Sequence, residues 1–309
     1  MIDFESPLVV MVTLAIVFVT SGWGLNRLSC LKLKRHGLAL VGSNVSKKFT
    51  LIDRTWISPS ICSLRFGLPE DTVLGLPIGR HISVSAVVAN PLTHDNPKSI
   101  SRQYTPVSSD HSAVGYFDLI VRVYWKNENP QFPEGGWMSQ YLAGLPIGSQ
   151  LDCRGPCGRI EYLEKGMFRL GQIKKRYHHV VMIAGGTGIT PMFQLINHVL
   201  KTRAGADTLK LSLLFGNRNP GDIILRNELE SLASMHQNQF KLTFTVDKAD
   251  PARTWSGYVG FVTTEMIKAA LTPPNPNTLV LICGPPPMVK SVAVSLSELG
   301  YKKEDIHQF

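Results

Sequence analysis

The chain has 309 residues, 44% hydrophobic and 18% charged, a balance that excludes a disordered polymer and leaves room for two domains, each with its own core. Its 32 Lys and Arg against 23 Asp and Glu give a formal charge of +9, which favours an anionic partner such as a phosphorylated ligand, a membrane surface or an acidic protein. The basic residues are scattered rather than run together, and no nucleic-acid-binding signature accompanies them, so the composition argues against nucleic acid.

Leu8 to Val19 is apolar except for Thr13, and Trp23, Gly24 and Leu25 prolong the stretch. At about 18 residues it is just long enough to span a bilayer. Asp3 and Glu5 precede it where a cleaved signal peptide would be basic, and Arg27, Lys32, Lys34 and Arg35 follow it. Under the positive-inside rule this predicts a single N-terminal anchor helix, residues 1–36 with its basic linker, and a cytoplasmic catalytic part. The anchor suits the endoplasmic reticulum or the mitochondrial outer membrane equally.

From Val41 to Arg154 short runs are punctuated by Gly and Pro. Phe49–Ile52, Ile61–Phe66, His81–Ala86 and Phe117–Tyr124 are strand-like, and such spacing predicts an antiparallel β-barrel domain over 41–157. Within it lies Arg102-Gln103-Tyr104-Thr105-Pro106-Val107-Ser108. Pro106 fixes its own φ and holds Thr105 extended, so alternation sends Arg102, Tyr104 and Pro106 to one face. An arginine fork, a flat phenol and a small hydroxyl in that order suit something planar that carries a phosphate, such as a flavin nucleotide. Gly135-Gly136-Trp137-Met138-Ser139 then reads as a glycine turn entering a short helix, whose free N–H groups a phosphate could approach.

A linker is expected over 158–178. From His179 to Phe309 strand and helix alternate: Val180–Ala184, Leu209–Phe215, Phe240–Val246 and Leu279–Cys283 as strands, with helices between and after them. This predicts an α/β parallel-sheet nucleotide-binding domain over 179–309. Gly185-Gly186-Thr187-Gly188-Ile189-Thr190-Pro191 follows a strand and opens a helix, the context that places a pyrophosphate on a helix N-terminus; Pro191 stands where the usual fingerprint has its third glycine. Cys283-Gly284-Pro285-Pro286-Pro287-Met288 ends the last strand, and its prolines force a rigid turn that would border the same crevice. Asp247, at the end of a strand, can take ribose hydroxyls and repel a 2′-phosphate, which favours NADH over NADPH; Arg218, Lys248 and Arg253 nearby work against that preference.

Cys30, Cys62, Cys153, Cys157 and Cys283 are an odd and sparse set that suits a reducing compartment. The Cys153–Cys157 spacing has no second pair or histidine motif to complete a zinc site, and no metal is expected.

The four motifs, in this order, resemble the NADH–cytochrome b5 reductases of the ferredoxin–NADP reductase superfamily, and the likeness runs from Val41 to the C-terminus. It implies FAD and NADH as cofactors and cytochrome b5, an acidic haem protein, as electron acceptor. It further implies that Arg102 pairs with the FAD pyrophosphate, that Tyr104 lies on the isoalloxazine, and that Thr105, before Pro106, hydrogen-bonds near its N5. Gly135, Gly136, Met138 and Ser139 would contact FAD phosphate, and Tyr124 would enclose the flavin or its adenine. Gly185, Gly186, Thr187, Gly188 and Pro191 would hold the dinucleotide. Cys283, Gly284, Pro285 and Met288 would border the nicotinamide, with Tyr104, Thr105 and Cys283 nearest the chemistry, and Phe309 would cover the site. Gln103, Arg122 and Trp137 depart from the family's usual proline, lysine and lysine. Two rivals remain at this level: a flavin reductase serving a ferric chelate or quinone, and a membrane scaffold that binds FAD or NADH without catalysis.

Overall fold

The punctuated first half of the chain folds as strands whose alternate residues share one interior. A computed structural model describes residues 36–40, 42–110, 113–201, 207–249 and 254–309. The expected anchor, apart from His36, lies outside the described residues, as do Val41 and Arg253. Among the described residues no helix is long and apolar enough to cross a membrane.

The first lobe contains β1 (Gly37–Leu38), β2 (Gly42–Ser58), β3 (Ile61–Gly67), β4 (Thr72–Val73), β5 (His81–Val88), β6 (Lys98–Tyr104), β7 (Tyr116–Arg122), helix α1 (Trp137–Gly144) and β8 (Gln150–Cys157). A six-stranded sheet runs in the order β6-β5-β8-β2-β3-β7 with every neighbouring pair antiparallel, while β1 and β4 form a separate parallel pair. Cys62, Leu64 and Phe66 of β3 and Phe117, Leu119 and Val121 of β7 face inward at the period of two that a pleated strand imposes. Phe117 meets Phe49 edge-on at 5.2 Å and stacks on Phe66 at 5.3 Å, and each such side chain contributes roughly 1.5–3 kcal/mol by leaving water.

The expected barrel is not closed by a ladder, because β6 and β7 are the two edges of the sheet. Pro106 has no N–H to continue β6. The curl is completed one residue later, where Val107 N–H donates to Asp118 O at 3.0 Å. The segment 158–178, expected as a linker, carries a three-stranded antiparallel sheet of β9 (Ile160–Tyr162), β10 (Met167–Leu170) and β11 (Ile173–Arg176). Positive φ at Glu164, Lys165 and Gly166 makes the first of its turns, and strands of only three or four residues, the last with three consecutive basic residues, are too short to show a period of two in the sequence.

The second lobe contains β12 (His179–Gly185), α2 (Ile189–Lys201), β13 (Lys210–Asn217), α3 (Arg226–Met235), β14 (Phe240–Val246), β15 (Tyr258–Val259), α4 (Thr264–Ala270), β16 (Thr278–Cys283), α5 (Pro286–Glu298) and β17 (Ile306–Gln308). These strands form one parallel sheet in the order β15-β14-β13-β12-β16-β17. Val180 to Ala184 are fully buried, as a central parallel strand covered on both faces requires. Ile61 and Ile120 of the first lobe lie in the same buried cluster as β12 and α2, so the lobes share a core.

Candidate active site

Arg102 and Tyr104 sit on the edge strand β6, paired across from Val84 and Ile82. Arg102 is exposed and its Nη1 donates to Ser101 O at 2.8 Å. Tyr104 packs half-buried on the barrel core, and burial pushes its hydroxyl well above the ordinary phenol range, with Arg102 pulling the other way. It is a neutral ring with a polar tip. Thr105, 8% exposed, and Pro106 are both buried, so the alternation expected to carry Pro106 with Tyr104 ends where the strand ends. Ser108 Oγ accepts from Asp118 N–H at 2.9 Å, and Asp118 also receives a two-pronged bond from Arg65 at 2.8 and 3.0 Å. That brace fixes the Thr105–Ser108 segment and left no signal in the sequence, because its partners are 53 residues apart.

The glycine turn is built against the end of β7. Gly135 has φ +67°, and a Cβ there would stand 2.4 Å from Tyr124 O, so no other residue fits. Gly136 N–H donates to Tyr124 O at 2.8 Å and is therefore already committed. Ser139 Oγ is committed too: it donates to Gly136 O at 3.0 Å and accepts from Tyr124 N–H at 3.2 Å. The donors left for an anion are the first-turn N–H groups of α1, at Trp137, Met138 and Ser139, which helix geometry leaves without intrahelical acceptors. Glu134, which stands just outside the glycine motif, ties the turn together: it accepts from Trp137 Nε1 and Asn90 Nδ2, both at 2.7 Å. Lys98 lies over the Trp137 ring at 4.8 Å, so the tryptophan's indole faces a basic neighbour. Tyr124 is half exposed beside this turn.

On the second lobe, parallel pairing brings the carboxyl ends of β12, β16, β13 and β14 to one rim. Gly186–Gly188 forms a single 3-10 turn running directly into α2, with Thr187 at its middle and Pro191 in the helix's first turn. Gly188 lies against the other loop so closely that a Cβ would be 2.2 Å from Cys283 O, and one on Gly185 would be 2.7 Å from Met288 Sδ and 3.0 Å from Pro285 Cδ. Gly284 faces Gly185 N and the Met288 side chain in the same way. The two motifs, almost 100 residues apart in the chain on a rough count, are thus one wall of a crevice, as switch-point geometry leads one to expect. Burial pushes the Cys283 thiol up to about 11, so at neutral pH it is a thiol that packs rather than a thiolate that attacks. Phe309 N–H donates to Ile282 O at 3.1 Å, and its half-buried side chain packs against the core built around β12 and α2.

Asp247 follows β14, its N–H donating to Asn217 O at 2.9 Å, while Lys248 N–H donates to Arg218 O at 3.1 Å. Burial raises the Asp247 carboxyl, and Arg218 and then Lys248 draw it back down. The Asn217 side chain is buried, with neither amide atom partnered among the described residues.

Arg122 bridges the lobes. It is 8% exposed, and its Nη2 stands 3.4 Å from Asp222 Oδ2 while its Nε has no partner among the described residues. Gly79 N–H donates to the buried Gln194 Oε1 at 2.7 Å, a second tie between barrel and α2. Neither Asp222 nor Gln194 belongs to a motif.

FAD and NADH can be tested against these residues. An exposed arginine, three first-turn N–H donors and a half-exposed tyrosine suit a flavin pyrophosphate and its rings; a glycine-lined rim with an orphaned buried amide suits a dinucleotide. The residues present fit both groups.

Comparison with known proteins agrees. Residues 48–162 match the family model for the oxidoreductase FAD-binding domain, and residues 182–293 that for the oxidoreductase NAD-binding domain. The chain is 45% identical to NADH-cytochrome b5 reductase 2 of Rattus norvegicus, over 89% of this chain and 99% of that protein. Among solved structures it is similar to the cytochrome b5 reductase domain of Ulva prolifera nitrate reductase, with a TM-score of 0.81 and 35% identity over 87% of this chain and 99% of that one. It shares its fold with a ferredoxin NADP+ reductase from Neisseria gonorrhoeae, at a TM-score of 0.60 and 17% identity over 85% of this chain and 98% of that one. The chain belongs to the NADH–cytochrome b5 reductase family, as an oxidoreductase that works with FAD and NADH.

Proposed function

We propose that the chain takes reducing equivalents from NADH in pairs and delivers them one at a time to cytochrome b5, while an N-terminal helix within residues 1–36 anchors it to the endoplasmic reticulum or the mitochondrial outer membrane. The observation that carries this reading is the meeting of Gly188 and Cys283 at the rim of the parallel sheet, in a core continuous with the barrel residues Ile120 and Val107.

Bound FAD supplies the two-electron and one-electron chemistry; the protein supplies order and dryness. Arg102 and the first turn of α1 hold the flavin's diphosphate. Tyr104 offers its ring face, and Thr105, held by the braced turn, sits where a hydrogen bond can shape charge near the flavin's reactive nitrogen. Tyr124 closes over the turn at Gly135 and Gly136. The loop of Gly185, Gly186, Thr187, Gly188 and Pro191 receives the dinucleotide's phosphates, and Cys283, Gly284, Pro285 and Met288 form the wall beside the nicotinamide. Phe309 excludes water from the same rim. The rate then depends on how closely these walls hold the two rings together.

Reduction of an acidic cytochrome by a chain of +9 should be steered. Turnover with soluble cytochrome b5 is expected to fall roughly tenfold between low and physiological salt, while NADH–ferricyanide turnover changes little. Equal salt sensitivity with both acceptors, or faster turnover with a quinone or ferric chelate than with the cytochrome, would displace cytochrome b5 as the acceptor. A yellow protein that NADH fails to bleach without oxygen would leave only a binding scaffold.

Asp247 is proposed to set cofactor choice. Asp247→Ser removes the charge that repels a 2′-phosphate and leaves Arg218 and Lys248 to attract it. The kcat/KM for NADPH should rise by about tenfold or more, with a smaller loss for NADH as ribose hydrogen bonds go. Steady-state kinetics with both nucleotides decides it, and an unchanged ratio would assign the choice elsewhere.

A further inference from the structure

A side-chain amide taken out of water is stable there only when hydrogen-bonded, and a bond made across two lobes fixes one on the other. Gln194 is 5% exposed, and its Oε1 accepts from Gly79 N–H at 2.7 Å, a pairing 115 residues apart in the chain. The barrel end of this bond is rigid. Gly79 has φ +89°, and a Cβ there would stand 2.9 Å from Ile160 O of β9. On either side of it, Ile78 O accepts from Tyr162 N–H at 2.9 Å and Arg80 Nη2 pairs with Glu161 Oε2 at 2.8 Å. Beside the bond lies a cavity of about 110 Å³ between the lobes, with Leu76, Ile78 and Ser108 on one side and Gln194 and His198 on the other. A void has no packing to resist movement, so the hydrogen bond is what holds the lobes together at that point.

Each end of the bond leads to one wall of the crevice. Gln194 lies about one turn beyond Pro191 in α2, the helix that Gly186–Gly188 opens. Gly79 stands just ahead of β5, in which Ile82 pairs with Tyr104 of β6. We propose that Gln194 is a positioning residue for hydride transfer: through Gly79 it sets how closely the dinucleotide loop approaches the strand pair that carries Tyr104. This rests on the FAD and NADH reading above. Gln194 acts on the distance between the two sites, so its loss should part the rings without emptying either site.

The test is Gln194→Met, which keeps the length of the side chain and removes its acceptor. In the holoenzyme the rate of anaerobic bleaching by NADH should fall roughly tenfold, while the dissociation constant for NAD+ changes by less than about twofold. The long-wavelength absorption of the reduced enzyme mixed with NAD+ should weaken, because the rings stack less closely. Before NADH is added, the Gly79 amide should exchange faster with solvent. Gln194→Glu, whose carboxyl still offers the oxygen, should restore most of the rate. Gln194→Asn, one methylene short of Gly79, should behave as Gln194→Met does, and it serves if that variant folds poorly. Gln239→Met removes bonds to Asp207 O and Leu209 O within the second lobe; it should lower the melting temperature and leave bleaching and absorption as they were. Faster Gly79 exchange with unchanged bleaching and absorption, an NAD+ affinity that falls as far as the rate, or an equal loss in Gln239→Met would overturn the proposal. A wild-type preparation that neither binds FAD nor is bleached by NADH would instead remove the reading beneath it.

Discussion

Gly188→Ala is expected to lower the rate of flavin reduction by NADH about 100-fold while the protein keeps its FAD. Gly188 is not in the left-handed region, so the penalty comes from space alone. An added Cβ would stand 2.2 Å from Cys283 O, 2.5 Å from Cys283 C and 3.0 Å from Gly284 N, all of them backbone atoms. A flexible side chain could turn aside; two main-chain loops cannot, and interiors this dense pass strain on rather than absorb it. The loops must separate by something near an ångström, and the nicotinamide they align moves with them. Anaerobic stopped-flow bleaching of the flavin measures the loss directly. Gly144→Ala serves as the comparison, since nothing lies within 4 Å of a Cβ at that position. A Gly188→Ala enzyme that bleaches as fast as Gly144→Ala would show that the two loops do not together form the nicotinamide wall.

The residues that could be read from the sequence are those whose role is local. Gly185–Pro191 announces itself because a strand, a tight turn and a helix start are adjacent in the chain, and the structure places them so. Cys283–Met288 was legible for the same reason: three prolines have few ways to leave a strand. The contact between the two could be expected only from the logic of parallel sheets, which aligns strand ends regardless of their separation in sequence. Pairings without a backbone signature stayed hidden. Arg65 with Asp118, Arg122 with Asp222, and Asp305 with Lys175 and Tyr177 join residues on different elements, and a charge in sequence does not reveal whether it ends in water or in a buried pair. The glycine turn was half legible. Its shape could be expected from Gly135, but the commitment of Gly136 N–H and Ser139 Oγ to Tyr124 depends on where β7 ends, at Arg122 rather than at Tyr124 itself.

Arg102→Ala should weaken FAD binding by roughly 10- to 100-fold, the loss of a charge-assisted, two-pronged contact to phosphate. The side chain is exposed and its hydrogen bond within the protein runs to the neighbouring Ser101 carbonyl, so the fold has little to lose and the melting temperature of the apoprotein should stay nearly constant. This separates a ligand contact from a structural one. Arg102→Lys should recover only part of the affinity, because an ammonium supplies charge without the planar fork. Quenching of FAD fluorescence on titration with apoprotein gives the dissociation constants, and the effect should shrink as salt rises, since a phosphate contact at an exposed edge is screened. If Arg102→Ala held FAD as tightly as the parent, the diphosphate would have to rest on the first turn of α1 alone. The fixed order of arginine and tyrosine on β6 and threonine just after it would then need another explanation than the flavin.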